Sequence, residues 1–251
     1  MDSRERRAAI DRDGFECQHC GTIDVLADDG GLQTHVVGPA TRESATRHSL
    51  VTVCGDCSPW LADQGPEPAP TDADLFEAVQ TLTRAQAGAV ADVADFATAA
   101  SAFPTGLESD VERTYPADRR ALLLTLDVVD GRLEHVSSVD RAAFDPEVTA
   151  ALEAFADEAG ALQEQLRTVI GVAAVMASAL ERCHVCFDAL ADDRCSRCGT
   201  ARLDVTDLCD ADGAVRVDAI STVLGDALEK AGRLTDRVVD RTTVLAETLV
   251  G

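Results

Sequence analysis

Lysine is all but missing from this chain: Lys230 is the only one among 22 basic residues, against 45 aspartates and glutamates, for a net charge of −23 over 251 residues. Aromatic residues are scarce, 4 % in all, with one tryptophan and one tyrosine. Abundant acid, almost no lysine, much Ala and Val and few rings together match the composition of organisms that keep molar salt in the cytoplasm. The acidity therefore reads as solvation and carries no information about partners. Long apolar runs are lacking too. The longest, around Val169 to Leu180, falls far short of the ~20 residues of a membrane span. The stretch Met1 to Arg12 is polar and charged, without the apolar core of a signal peptide, so the expected location is cytoplasmic with no membrane partner. No Ser-His-Asp arrangement and no phosphate-cradling glycine loop can be picked out from the sequence. The 46 % apolar content is enough to build a core and excludes a disordered chain.

A nucleic-acid binder is usually betrayed by a basic patch, but at ~1 M salt the Debye length is only about 3 Å, so repulsion by an acidic surface is screened along with attraction. Acidity does not exclude DNA here. Residues 1–60 hold six basic and ten acidic residues, net −4, and the rest of the chain carries the remaining −19. Arg4, Arg6, Arg7 and Arg12 gather on the first helical stretch, where they could meet phosphates or form a solvated face.

Eight of the nine cysteines fall into four C-x2-C pairs, a metal-ligand spacing that a reducing compartment preserves as thiolates. Cys17, Cys20, Cys54 and Cys57 form one set, and Cys183, Cys186, Cys195 and Cys198 the other. Four thiolates complete the tetrahedral shell of a structural zinc and leave no open position for water. Two structural Zn2+ ions are expected, with an iron-sulfur cluster or a redox dithiol as the alternative. Cys209 is left over and reads as a buried apolar residue.

Along the chain, Arg4 to Arg12 should be a short helix. Asp28-Asp29-Gly30-Gly31 reads as a hairpin turn between Val25-Leu26 and Leu32 to Val37. Arg42 to Leu50 reads as a loop or the approach to a helix beginning at the second knuckle, and Gln64 to Pro70 as a linker. From Thr71, a capping residue, Leu75, Val79, Leu82, Val90, Val93 and Phe96 trace a helical stripe toward Phe103. Pro116 could start a second helix through Leu122 to Val129, although Val129-Asp130-Gly131-Arg132 also suits a hairpin. Asp145-Pro146 should cap a long helix to about Arg182, and Val217 to Leu249 a last one at near coiled-coil spacing, which also offers a homodimer contact. Between these two helices, the short spacer of the second cysteine set and the glycine after it look like a zinc ribbon.

The stretch Asp13-Gly14-Phe15-Glu16-Cys17-Gln18-His19-Cys20-Gly21, then Thr34-His35-Val36-Val37-Gly38-Pro39, then Ser49-Leu50-Val51-Thr52-Val53-Cys54-Gly55-Asp56-Cys57-Ser58, resembles the zinc-stabilised HNH endonucleases. That resemblance implies a ββα/treble-clef module, His35 as general base on water, and one Mg2+ or Mn2+ beside it at the scissile phosphate. It also implies nucleic acid, DNA first, as partner. Where the family has an acidic residue or second histidine before the base, this chain has Thr34; Ser49 stands for the central asparagine and Ser58 for a histidine after the last cysteine. Hydroxyls are poorer cation ligands than carboxylates or imidazoles. His48, one residue from the asparagine position, is a second catalytic candidate, whereas His19 and His135 read as structural or exposed, and His184 as a surface residue, with replacement of a cysteine as ligand the alternative. The expected fold class is α+β, mainly α: an HNH-like zinc module over 1–62, a linker over 63–71, a helical bundle region over 72–182, a zinc ribbon over 183–199, and a C-terminal region over 200–251 whose long helix completes the bundle. Two functions follow: metal-dependent phosphodiester hydrolysis, or a catalytically silent HNH-fold module that binds nucleic acid or a protein.

Overall fold

The computed structural model describes residues 2–23, 31–38, 41, 43–62, 71–105, 109–208, 210 and 216–250. The chain is mainly helical. Helix α1, Ser3–Arg12, precedes a two-stranded antiparallel sheet of β1, Leu32–Val36, and β2, Leu50–Cys54, in which His35 faces Val51. Four long helices follow: α2, Asp72–Ser101; α3, Ser109–Ser137; α4, Pro146–Ala179; and α5, Val217–Val250.

Local signals explain most of these limits. Thr71 Oγ1 accepts the Asp74 N–H at 3.2 Å, and Asp72 and Asp74 favour the positive end of α2. Pro146 takes the first turn of α4, where no N–H is needed. In α5, Ile220, Leu224, Ala227, Ala231, Leu234 and Val238 alternate by four and three and are all buried, so the stripe is covered within the chain itself. Gln165 Nε2 donates to Ala227 O at 3.0 Å, and Arg237 meets Glu158 at 3.1 Å, which sets α5 antiparallel to α4. Arg167 meets Asp127 at 2.7 Å, and Gly160 lies beside Leu133, so α3 also runs antiparallel to α4. Gln86 ties α2 to α4 through Ala159 O at 2.8 Å. The result is a four-helix bundle whose core is continuous with that of the N-terminal module. Among the described residues no helix is long and apolar enough to cross a membrane.

The hairpin reading of 129–132 is overturned: α3 runs unbroken from Ser109 to Ser137, with Pro116 inside it. Gly131 serves a close approach instead of a turn, because a Cβ there would overlap the Trp60 carbonyl, 2.8 Å from its carbon. In the N-terminal module the strand partner of β1 is β2, fully buried and with Val51, Thr52 and Val53 at its centre; it begins at Leu50, where the expected loop or helix approach of Arg42 to Leu50 ends. Val25, Leu26 and the Asp28 to Gly30 turn lie outside the described residues, as do the linker core 63–70 and Cys209. Where a helix was expected after the second knuckle, a 3-10 turn, Ser58–Leu61, is found. Helix α1 is stapled to β2: Arg12 donates to Leu50 O at 2.7 Å and to Arg47 O, while Asp13 accepts the Thr52 N–H at 2.9 Å.

Module and bundle meet along one ridge of α3. Arg119 and Leu123 lie under Gly38, Asp127 under His35, Gly131 under Trp60, and His135 against the Trp60 ring. Residues four apart share a helix face, which is why this row is continuous.

Candidate metal centres and the His35 seam

Three of the four C-x2-C pairs fold as the same knuckle. The residue after the second cysteine adopts positive φ (Gly21 +73°, Phe187 +60°, Gly199 +74°) and donates its N–H to the first cysteine's carbonyl at 2.8–2.9 Å. The first cysteine's N–H then bonds the carbonyl five residues on, at Thr22, Asp188 and Thr200. Bridges Glu16↔Ile23, Arg182↔Ala189 and Arg194↔Ala201 close each loop. Glycine suits the left-handed position; Phe187 accepts it because its ring packs on Tyr115 at 4.6 Å and Phe103 at 5.0 Å. The fourth pair, Cys54 and Cys57, leaves the end of β2 and leads into the 3-10 turn.

Within each set the four sulfurs lie within 4.8 Å of one another. Cys20 and Cys54 are 3.6 Å apart, Cys183 and Cys198 3.5 Å, Cys186 and Cys195 3.4 Å. A tetrahedral zinc with Zn–S bonds of about 2.3 Å needs sulfurs about 3.8 Å apart, so both groups could hold structural zinc. The Thr22 hydroxyl bonds the Cys20 sulfur and brings that thiol down to about 6, while burial pushes Cys17 and Cys57 up. Each group has an arginine of α3 nearby: burial lowers Arg132, and Cys57 pulls it back, while burial lowers Arg119, and Tyr115 and Cys183 pull it back.

His35 sits at the seam. Its Nε2 lies 2.9 Å from Asp127 Oδ2, whose other oxygen accepts from Arg167 at 2.7 Å; Arg167 also reaches Asp130. Asp127 and Asp130 come from α3 and Arg167 from α4, so the imidazole is bound into the bundle through an alternating chain of charges. Among the described residues, the two cysteine sets are the only groups of three or more side chains able to share a metal ion.

The other candidates scatter. His48 stands away from this seam, beside Arg47, Arg120, Arg197 and Cys198, and burial with the three arginines' repulsion outweighs Cys198 and lowers its pKa. Ser49 Oγ donates to Thr46 O at 3.1 Å, and Ser58 Oγ to Gln33 Oε1 at 3.0 Å. His19 Nδ1 is 3.3 Å from Cys57 Sγ. His184, expected at the surface, is 5 % exposed, with Nδ1 buried and unpartnered and its pKa held down to about 4 by burial and by Arg119. The α1 arginines are largely engaged within the chain: Arg12 on β2, Arg7 with Asp11 and over Phe15, and Arg6 on Leu32 O. The residues missed from sequence are Asp127, Arg167 and Arg119, which belong to no motif.

These features define a mainly helical protein carrying two four-cysteine centres. Comparison with protein-family models, with curated proteins and with solved structures finds no match for the chain.

Proposed function

We propose that this chain is a zinc-stabilised nucleic-acid-binding protein whose N-terminal module is a non-cleaving descendant of the HNH endonucleases. The observation that carries the reading is the engagement of His35: the candidate base is tied at 2.9 Å to Asp127, which Arg167 clamps from the other side. A guanidinium next to the carboxylate that holds the imidazole disfavours a divalent cation. Thr34, Ser49 and Ser58 add no carboxylate or imidazole in its place. The histidine acts as a docking contact between module and bundle.

Support for nucleic acid comes from where the arginines lie. In a chain of net charge −23, Arg120 is desolvated and lies in the field of Arg12 and Arg119, which Asp13 offsets in part, and Arg120 joins Arg47 and Arg197 around His48. Desolvation and the neighbouring positive charges both weigh on Arg120, a pattern that a bound polyanion relieves. Asp127 does favour a second reading, HNH cleavage with Mg2+ or Mn2+, since it brings a carboxylate from the bundle to the imidazole; in that case it orients His35 as general base.

The deciding experiment is plasmid and single-strand cleavage in molar KCl with Mg2+ or Mn2+, beside His35→Ala, with filter retention of DNA and RNA measured on the same samples. The expected result is retention without cleavage for both proteins, with His35→Ala less stable by about 1 kcal/mol. Nicking by the wild type that vanishes in His35→Ala overturns the silent reading; no retention of either nucleic acid overturns the binding reading.

A further inference from the structure

We infer that the cleft where the β1–β2 connection, α3 and the ribbon meet is a binding site for a phosphate group, with Arg119 at its floor and Arg194 at its rim. The cleft has a volume of about 240 Å3 and is lined by both arginines and by Ser44, Thr46, Ser49 and Thr200. Among the described residues no carboxylate lines it, although Cys198 of the second cysteine set does.

Arg119 is the element that needs a ligand. It is only 7 % exposed, its Nε is buried without a partner, and no described side chain or carbonyl accepts from the guanidinium. A buried cation normally has its charge and its five donors answered, and here the open side faces the cleft. Gly38, at φ +78°, comes close to the guanidinium; a Cβ there would lie 3.7 Å from one Nη atom.

The rest of the wall suits an oxyanion. Arg194 is exposed and anchored through one nitrogen to Gly199 O at 3.1 Å, so its remaining donors are available at the rim. Thr46 Oγ1 accepts the His48 N–H at 3.4 Å and keeps its own proton to donate. Two guanidinium groups and a hydroxyl in a cavity without a described carboxylate, the Cys198 thiolate being committed to the second cysteine set, match a tetrahedral dianion, which takes several charge-assisted bonds at once.

The competing account makes Arg119 a counter-charge for the ribbon thiolates, since Cys183 acts on it. No sulfur is within hydrogen-bonding distance of it, however, and Arg132, which has the same relation to Cys57, lines a different cavity bearing Asp74 and Glu77. Arg132 is therefore the control. The natural source of the phosphate rests on the nucleic-acid reading above; the chemistry of the site does not.

The test uses the full zinc-loaded chain in molar KCl. Inorganic phosphate binding is followed by 31P line broadening and by thermal shift, and a short DNA oligonucleotide is then added as competitor. Arg119→Met should weaken phosphate binding at least about tenfold, and Arg194→Met, a surface change that spares the fold, by several-fold. Arg132→Met should leave it unchanged. Zinc content and helicity are measured on every variant, and if Arg119→Met fails to fold, Arg194→Met decides. Phosphate displaced by the oligonucleotide identifies a nucleic-acid phosphate. Phosphate bound but not displaced keeps the site, for free phosphate or a nucleotide, and removes the nucleic-acid source. Oligonucleotide binding that ignores both Arg119→Met and Arg194→Met overturns the site while leaving the nucleic-acid reading standing. Absence of phosphate binding, or equal loss in Arg132→Met, also overturns it.

Discussion

Gly131→Ala is the substitution whose sign separates this structure from a generic helix. In an exposed helix interior the change stabilises by about 1 kcal/mol, because alanine loses less backbone entropy. Gly88, exposed in α2 with nothing within 4 Å of a would-be Cβ, should behave that way. At 131 the new methyl overlaps the Trp60 carbonyl, and backbone cannot rotate out of the way as a side chain can. The 3-10 turn must retreat by about 1 Å. That loosens the Arg132 guanidinium over the indole at 4.8 Å and the edge contact with His135 at 5.4 Å. Those contacts are worth roughly 0.5–1 and 0.5–1.5 kcal/mol, and residual overpacking adds about 1–3. After the propensity gain, the net loss is about 1–4 kcal/mol. Trp60 is the only tryptophan, so its emission reports the seam directly. Urea unfolding followed by fluorescence and by helicity should show Gly131→Ala destabilised with red-shifted emission and Gly88→Ala stabilised. A Gly131→Ala protein as stable as wild type, with unchanged emission, would refute the docking argument.

The cysteine sets and the core give further expected outcomes. Metal analysis of the purified chain should give two zinc ions, and acidification should release them, since protons compete for the thiolates and affinity falls as pH falls. Cys57→Ser should lower the content to one while the bundle keeps its helicity, and an unchanged content would count against the first site. Gln163 in α4 is 3 % exposed, with both side-chain polar atoms unpartnered; Gln163→Leu should raise stability by about 1–3 kcal/mol in a urea titration, and a loss would mean the amide has a partner that the packing does not reveal.

The legible part of this protein was what local spacing encodes. Cysteine pairs two residues apart announce knuckles because the chain must turn back within them. The stripes of α2, α4 and α5 announce helices because one face repeats every three or four residues. Gly131 was misleading for the same reason: Asp-Gly is a turn signal only when nothing distant needs the missing Cβ, and Trp60 does. Asp127 is one of 45 acidic residues, and nothing near it in sequence marks it as the partner of His35. Arg119 likewise has a meaning only once β1, α3 and the ribbon are brought together. His184 was misjudged because a histidine inside a knuckle looks exposed until the helix beneath the ribbon is known.

The ridge on α3 also fixes a length. From Arg119, near the second cysteine set, to Arg132, near the first, the helix rises about 20 Å at 1.5 Å per residue. One residue inserted between Arg119 and Asp127 would turn everything beyond it by about 100° and carry Asp127, Gly131 and His135 off the seam together. Seven inserted residues nearly restore the phase, but would move the two cysteine sets about 10 Å further apart. The helix thus acts as a gauge rod, and deletions or insertions in this stretch should be borne far less well than substitutions at its outward face.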